Sequence, residues 1–424
     1  MTGPRDARSA ASGSGDRADS PGPRAQGPAP RDGAPEGPVP VLLVGLHGHG
    51  RSHLRTLLPL RDSGLVRLAG VCDSRPPEPG DDLEGHGPVP YFDDLGRAVD
   101  ETGARITILV TPIHTHLPLA RIALDHGSHL LLEKPTTAGL AEFEQLRAAV
   151  DASGLACQVG FQSLGSQAIT AVRDLIADGT VGRVRGIGGE GAWKRTSAYY
   201  DRAPWAGRRH LDGRDVVDGA LTNPFAHAVA TALAVAGAAT EAPQDVELEL
   251  FHAHPIESDD TSCLRLRTDD GTVITLAVSL CAPDSRPPRL IVHGERGRIE
   301  LDYTLDRVTL HRPGRAPDTT VHPRTGLLEN LVDHLRDGTP LLVPPDATRG
   351  FMHVLEAVRH APDPAPIPLD HQRVWNEDGA THRTVDGIST LVQRSAQTLA
   401  LFSELDPAWL PGAAETTPTT KARS

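Results

Sequence analysis

Lysine is nearly missing from this chain. Of its 42 basic residues in 424, only Lys134, Lys194 and Lys421 are lysine, and the rest are arginine. Positive charge is in deficit as well, because 55 acids leave a formal net charge of −13. That balance is a poor match for duplex DNA or an anionic membrane surface, both of which need clustered positive charge. No nucleic-acid or membrane partner is expected. No apolar run approaches the ~18–20 residues needed to span a bilayer. The N-terminus has no apolar segment of the kind a secretory signal carries, and its aspartates argue against a transit peptide. Cysteine is scarce too. Cys72, Cys157, Cys263 and Cys281 are widely spaced and form no CxxC pair, which fits free, buried thiols in a reducing cytoplasm.

Glycine and proline, at 42 and 37 residues, are abundant, much of them at the chain ends. Residues 1–38 hold almost no large apolar side chain, so they read as a disordered arm. From Val39 short apolar strands (39–45, 66–72, 106–111, 129–132, 156–160) alternate with helices (52–60, 94–102, 117–125, 140–152). Such alternation makes a parallel sheet buried on both faces, here a doubly wound α/β, or Rossmann, domain over residues 39–162. Beyond Gln162 the rhythm changes. A helix at 167–177 and a strand at 184–191 lead into a polar, aromatic connection and then a helical segment at 216–236, kinked or broken by Pro224. Period-2 runs between 246 and 303 and helices near 327–336 and 347–358 complete an α+β domain over 163–370, with a large, mainly antiparallel open sheet. Residues 371–411 read as a helical extension, with apolar spacing at 385–405, and 412–424 as a disordered tail.

The first strand ends in Gly45-Leu46-His47-Gly48-His49-Gly50 and opens a helix. Gly45 and Gly50 take the first and third glycine places of G-x-G-x-x-G, while His47 stands at the middle place. Such a turn lets a pyrophosphate approach backbone N–H groups at a helix N-terminus. The strand–turn–helix context is the one this motif requires. Asp73 ends the second strand, 23 residues beyond Gly50. A carboxylate there accepts the ribose hydroxyls of adenosine and repels a 2′-phosphate, which favours NAD. Ser74 and Arg75 could both contact such a phosphate, so NADP stays open.

Lys134 follows the fourth predicted strand in Glu133-Lys134-Pro135. A chain that uses arginine wherever a charge suffices has a chemical reason for an exception, because lysine can give up its proton and arginine cannot. The C-terminal end of a sheet strand is also where ligands meet catalytic groups in open α/β folds. Lys421, in the tail, has no comparable position.

Thr111-Pro112-Ile113-His114-Thr115-His116, Glu133-Lys134-Pro135 and Val159-Gly160-Phe161-Gln162 resemble successive motifs of the glucose–fructose oxidoreductase / inositol dehydrogenase / rhizopine-catabolism (Gfo/Idh/MocA) oxidoreductases. The similarity runs from about Val39 to about Leu369. By that resemblance Lys134 is the active-site lysine, relaying a proton to or from a substrate hydroxyl. Thr111, Pro112, His116, Glu133 and Gln162 then belong to the cofactor side. The family also carries an acid four residues before a histidine on a second-domain helix. Those places match Asn223 and His227 here, on one face if helical. Asn223 cannot ionise, so it is open whether His227 transfers a proton or orients substrate. Homo-oligomerisation, as a dimer or tetramer through the open face of the second sheet, is also implied.

Trp193-Lys194-Arg195 and Tyr199-Tyr200, followed by Trp205, gather aromatic faces and donors in one connection. They suit a sugar or polyol substrate and equally an interdomain or subunit contact. The arginines could also hold a carboxylate or phosphate. His252 and His254 fall at i,i+2 on one strand face near Glu257, Asp259 and Asp260, but without a third converging ligand no metal is expected there, or at His114 and His116. The leading expectation is a cytoplasmic NAD(P)-dependent oxidoreductase acting on a CH–OH group of a sugar, cyclitol or related polyol. NAD-dependent glycoside cleavage through transient oxidation and a non-catalytic sugar-sensing regulator are the alternatives.

Overall fold

The computed structural model describes residues 37–410. The expected disordered tail, Lys421 and all but the last two residues of the expected arm lie outside the described residues. Unbroken apolar runs form the first sheet. Its strands are β1 (Val39–Val44), β2 (Val66–Cys72), β3 (Tyr91–Phe92), β4 (Ile106–Leu109), β5 (His129–Leu132) and β6 (Cys157–Val159). All pair in parallel, in the order β3-β2-β1-β4-β5-β6. Val41 and Leu43 of β1 join one buried cluster and Leu42 and Val44 the other, so both faces of the sheet are covered. The cover comes from α1 (Gly50–Asp62), α2 (Leu95–Thr102), α3 (His116–Asp125) and α4 (Leu140–Ser153). Asp94 caps α2 by accepting the Arg97 N–H. The two-residue edge strand β3 was not anticipated, being too short to leave a pattern. It is tied to β2 by the Tyr91 hydroxyl, which donates to the Asp73 carbonyl at 3.0 Å. Strand order reverses between β1 and β4, which opens the ligand crevice at their C-terminal ends.

The second domain opens with α5 (Gln167–Ala177) and β7 (Val184–Ala192). A one-turn α6 (Ser197–Tyr200), the small hairpin β8 (His210–Leu211) and β9 (Arg214–Asp215), and α7 (Ala226–Ala236) follow. Then come β10 (Asp245–His252), β11 (Thr261–Arg267), β12 (Val273–Ser279), β13 (Arg289–Gly294), β14 (Arg298–Asp302), β15 (Arg307–His311) and β16 (Asp318–Val321). Helices α8 (Leu327–Asp337) and α9 (Arg349–His360) precede the short β17 (Ala365–Pro366). The nine-stranded sheet runs β16-β15-β14-β13-β7-β12-β11-β10-β17. It is antiparallel except where β7 meets β12 and β10 meets β17.

Two expectations need correction. The helical segment expected at 216–236 forms only from Ala226. Ahead of it Val217 adopts a φ of 47°. The Ala220 N–H donates to both the carbonyl and the carboxylate of Asp259, and the Gly219 N–H to the Thr222 hydroxyl. Tertiary partners thus take backbone groups a helix would have used. The stretch at 385–405 is helical only as α10 (Ile388–Thr398), and a hairpin of β18 (Gln372–Glu377) and β19 (Ala380–Val385) precedes it.

One face of the large sheet carries the chain's own C-terminal extension. α10 lies across β7 and β12, so close that a Cβ at Gly188 would collide with the Ala396 carbonyl. Phe251, Cys263, Ile388, Val392, Phe402 and Trp409 form a common core there. Over these strands the chain's own extension covers part of the sheet face, as a large sheet requires. Among the described residues no helix is long and apolar enough to cross a membrane.

Candidate active site

The glycine turn closes tightly because two positions tolerate no side chain. Gly45 has a φ of +91°, and a Cβ there would lie 2.6 Å from the Val110 carbonyl oxygen. At Gly50, the first residue of α1, a Cβ would collide with the Gly45 carbonyl. The middle place accommodates His47 in a simple way. Its φ is not positive, and its Nδ1 lies 3.3 Å from Asp81 Oδ1, which Arg51 also grips. The ring is therefore drawn aside toward the loop after β2. Gly48, at the tip, has no protein atom within 4 Å of where a Cβ would be. That is the space a pyrophosphate needs beside the N-terminus of α1. Asp73 accepts the Leu46 N–H at 2.7 Å and the Arg75 N–H at 3.1 Å, which holds its carboxylate at the crevice edge beside Ser74 and Arg75. The residues present fit a dinucleotide.

The crevice has a volume of about 1790 Å³. Gly45, His47, Gly48, His49, Asp73, Ser74, Arg75, Thr111, Pro112, His116, Glu133, Lys134 and Gln162 all line it. Glu133 is the hub on its floor. Its carboxylate meets His53 Nε2 at 2.9 Å, the Gln162 amide at 3.1 Å and the Lys134 N–H at 3.1 Å, with His49 at 3.7 Å. Burial alone would raise its pKa. The His53 hydrogen bond and the charges of His53, His49 and Lys134 outweigh that and bring it down to about 2. His116 is buried, with one ring nitrogen against the carbonyls of Pro135 and Thr136 and the other against that of Thr111. It ties the turn after β4 to the turn after β5, and burial lowers its pKa.

Lys134 projects from the end of β5 toward the second domain. Its Nζ donates to Asn223 Oδ1 at 2.6 Å and to the Asn223 carbonyl at 3.1 Å. Burial lowers its pKa, opposed by the charges of Glu133 and Asp218. Asn223 sits in the turns ahead of α7 and His227 within its first turn, so the expected shared helix face is absent, yet both line the crevice. His227 Nδ1 lies 3.2 Å from the Ser163 hydroxyl. Burial, then Lys134, lowers its pKa to about 3, so at neutral pH the imidazole is uncharged.

The aromatic connection divides. Tyr199 and Trp205 line the crevice, joined by Arg202, whose guanidinium lies 3.7 Å and 4.7 Å from their ring centres. Trp193, Arg195 and Tyr200, expected at the substrate, do not line it. Trp193 packs on Phe225, Arg195 lies between Trp193 and Tyr199, and Tyr200 packs on His254. They brace Tyr199 from behind. Lys194 turns instead to Trp375 of β18, with Nζ 5.5 Å from the ring centre. His254 lies beyond the end of β10 rather than on a strand face with His252. Its Nδ1 is 3.1 Å from Asp260, whose carboxylate also anchors the Ala253 and His254 amides. His53, Asp81, Asp218, Arg202, Arg324 and Ser163 were missed. Asp81, Asp218 and Arg324 sit in irregular segments that carry no periodic signal. His53 alone had one, as a histidine one turn into the helix that the glycine turn opens.

Two family models match the two domains. Residues 39–161 match the oxidoreductase family's NAD-binding Rossmann fold, and residues 169–300 match the Gfo/Idh/MocA C-terminal domain. The chain belongs to the Gfo/Idh/MocA oxidoreductase family. Among curated relatives it is 28% identical over 202 residues to a dTDP-3,4-didehydro-2,6-dideoxy-α-D-glucose 3-reductase of Streptomyces antibioticus. That match covers 48% of this chain but only 57% of the reductase. It is 29% identical over 93 residues to the scyllo-inositol 2-dehydrogenase (NAD(+)) of Bacillus subtilis strain 168, covering 22% of this chain and 27% of that enzyme. Its fold is similar to that of the WlbA dehydrogenase from Bordetella pertussis, solved in complex with NADH and UDP-GlcNAcA. There the TM-score is 0.63 at 21% identity, over 76% of this chain and 95% of that one. Levoglucosan dehydrogenase in complex with NADH gives 0.64 at 17% identity, again over 76% and 95%. The Gfo/Idh/MocA chain described here is thus an NAD-binding oxidoreductase with a Rossmann domain and a mainly antiparallel second sheet.

Proposed function

We propose that this oxidoreductase acts on a carbinol carbon of a sugar, cyclitol or related polyol, with Lys134 moving the hydroxyl proton. The observation that carries this reading is the position of Lys134. It is a half-buried lysine at the mouth of β5, facing Asn223 and His227 across the crevice. The nicotinamide, when bound, supplies or accepts the hydride. Gly45 and Gly48 would hold the pyrophosphate, with Gly50 letting α1 start tight against the turn, Asp73 the adenosine ribose, and Thr111, Pro112 and Gln162 the nicotinamide end. Burial favours the neutral amine at Lys134, which can then take the proton of a substrate hydroxyl. His227, uncharged at neutral pH, orients the reacting oxygen by hydrogen bonding, its Nδ1 steadied by Ser163. Tyr199 and Trp205 offer faces to a sugar ring, while Arg202 and Arg324 suit hydroxyl or phosphate oxygens.

The relatives that act on or bind nucleotide-linked sugars make those compounds the first to try, beside free polyols. The test is Lys134→Ala assayed with a panel of both. NADH binding, read by nicotinamide fluorescence, should persist while turnover is lost. Full turnover in that variant overturns the role of Lys134.

A further inference from the structure

The family's acid is absent at position 223, yet a carboxylate stands directly behind it. Asn223 Nδ2 donates to Asp218 Oδ1 at 2.5 Å while its Oδ1 receives Lys134 Nζ at 2.6 Å. An amide has one donor end and one acceptor end. Reversing it here would set NH2 against an ammonium and oxygen against a carboxylate. Asp218 therefore dictates which way Asn223 points. Asp218 is itself fixed, at 7% exposure, by the Gly207 N–H at 2.7 Å and Arg202 Nη2 at 3.2 Å.

We infer that Asp218 is a positioning residue for Lys134, acting through Asn223 and supplying from one residue further away the negative charge that Asn223 lacks. This rests on the proton-relay reading of Lys134. The charged or titratable groups facing that lysine are Glu133 beside it, Asp218 behind Asn223, Arg202 after α6, His227 on α7 and His49 at the start of α1. Glu133 is already engaged by His53 and Gln162. Asp218 is the anion on the substrate side, and its charge opposes the burial of the ammonium. The side-chain carboxamide of Asn223, interposed between carboxylate and ammonium, passes on orientation and field but no proton. Lys134 thus keeps its proton within its own exchange with the substrate hydroxyl.

The scarcity of lysine makes this measurable without turnover. In full-length protein labelled with 13C at lysine Cε, only three side chains report, with Lys194 and Lys421 as internal references. Asp218→Asn should lower the titration midpoint of Lys134 by about one pH unit. The acid limb of the kcat/KM profile for alcohol oxidation should move down with it, because the neutral amine then persists to lower pH. Exchanging the two groups, D218N together with N223D, should return both to the starting values, which loss of a purely structural contact would not do. Where D218N alone does not fold, Asn223→Asp is read instead. A second carboxylate beside Nζ should raise the midpoint by a similar amount. A Lys134 midpoint that ignores these changes, in a protein where Lys134→Ala is inactive, overturns the role of Asp218 alone. Full turnover by Lys134→Ala overturns the relay beneath it.

Discussion

The two walls of the crevice are built by opposite means. The cofactor wall consists of the ends of β1, β2, β4 and β5 and the first turn of α1, so each contributing residue has an address in a regular repeat. The opposite wall, proposed to face substrate and running from Tyr199 to His227, is mostly irregular backbone held by side chains. Asp218 grips Gly207, Asp259 grips Ala220, and Val217 is held at positive φ. The chemistry proposed for this chain lies where the walls touch, at the contact between Lys134 and Asn223. A regular scaffold places a ligand common to many enzymes, and a loop held by buried acids can be reshaped around a particular substrate.

Each wall can be challenged separately. Breaking the contact should have the largest effect. Lys134→Ala should cost about 10³-fold in kcat/KM, within the range of lost general acid–base catalysis, with NADH affinity retained. If affinity fell in parallel, the walls would not be functionally distinct. Gly50→Ala attacks the cofactor wall alone. The backbone it strikes cannot yield, so NADH affinity should fall by more than about tenfold, roughly 1.4 kcal/mol, with a lower Tm in a thermal melt. Asp73→Ala is milder. It should reduce the preference for NAD over NADP by about tenfold in steady-state kinetics, because the repulsion of a 2′-phosphate is lost while Ser74 and Arg75 remain. An unchanged preference would show that discrimination lies elsewhere on this wall.

The smallest effect concerns stability. Glu133 has a folded pKa of about 2, below its ordinary value of 4.5, so it stabilises the fold above pH 4.5. That contribution is lost as pH falls from about 4.5 to about 2, and Glu133→Gln should flatten urea-midpoint profiles in that window.

The cofactor wall could be read from residue spacing because its determinants are local. Gly45, Gly50, Asp73 and Lys134 stand at strand ends that apolar runs announce. On the opposite wall, Asn223 and His227 were legible only through family resemblance. Tyr199 was found by composition, but the same signal also brought in Trp193, Arg195 and Tyr200, which stand behind it. Asp81 and Asp218 left no trace, since a carboxylate in a loop looks alike whether it faces solvent or a ligand's neighbour. The stretch 216–225 looked helical because its apolar pattern is indifferent to backbone groups claimed by Asp259, 39 residues away.

The covered sheet face shows the same limit. The apolar spacing of 385–405 announced a helix with something to bury, but not that Gly186 and Gly188 had cleared its seat. By itself the sequence determined the α/β class, the glycine turn, the NAD-favouring aspartate and the exceptional lysine, because these follow from local sterics and spacing. Only the tertiary structure decided that Lys134 meets Asn223, that Asp218 stands behind it and that α10 closes the sheet. Those pairings join residues up to hundreds of positions apart, and what selects them is the burial of apolar surface together with partners for every buried polar group.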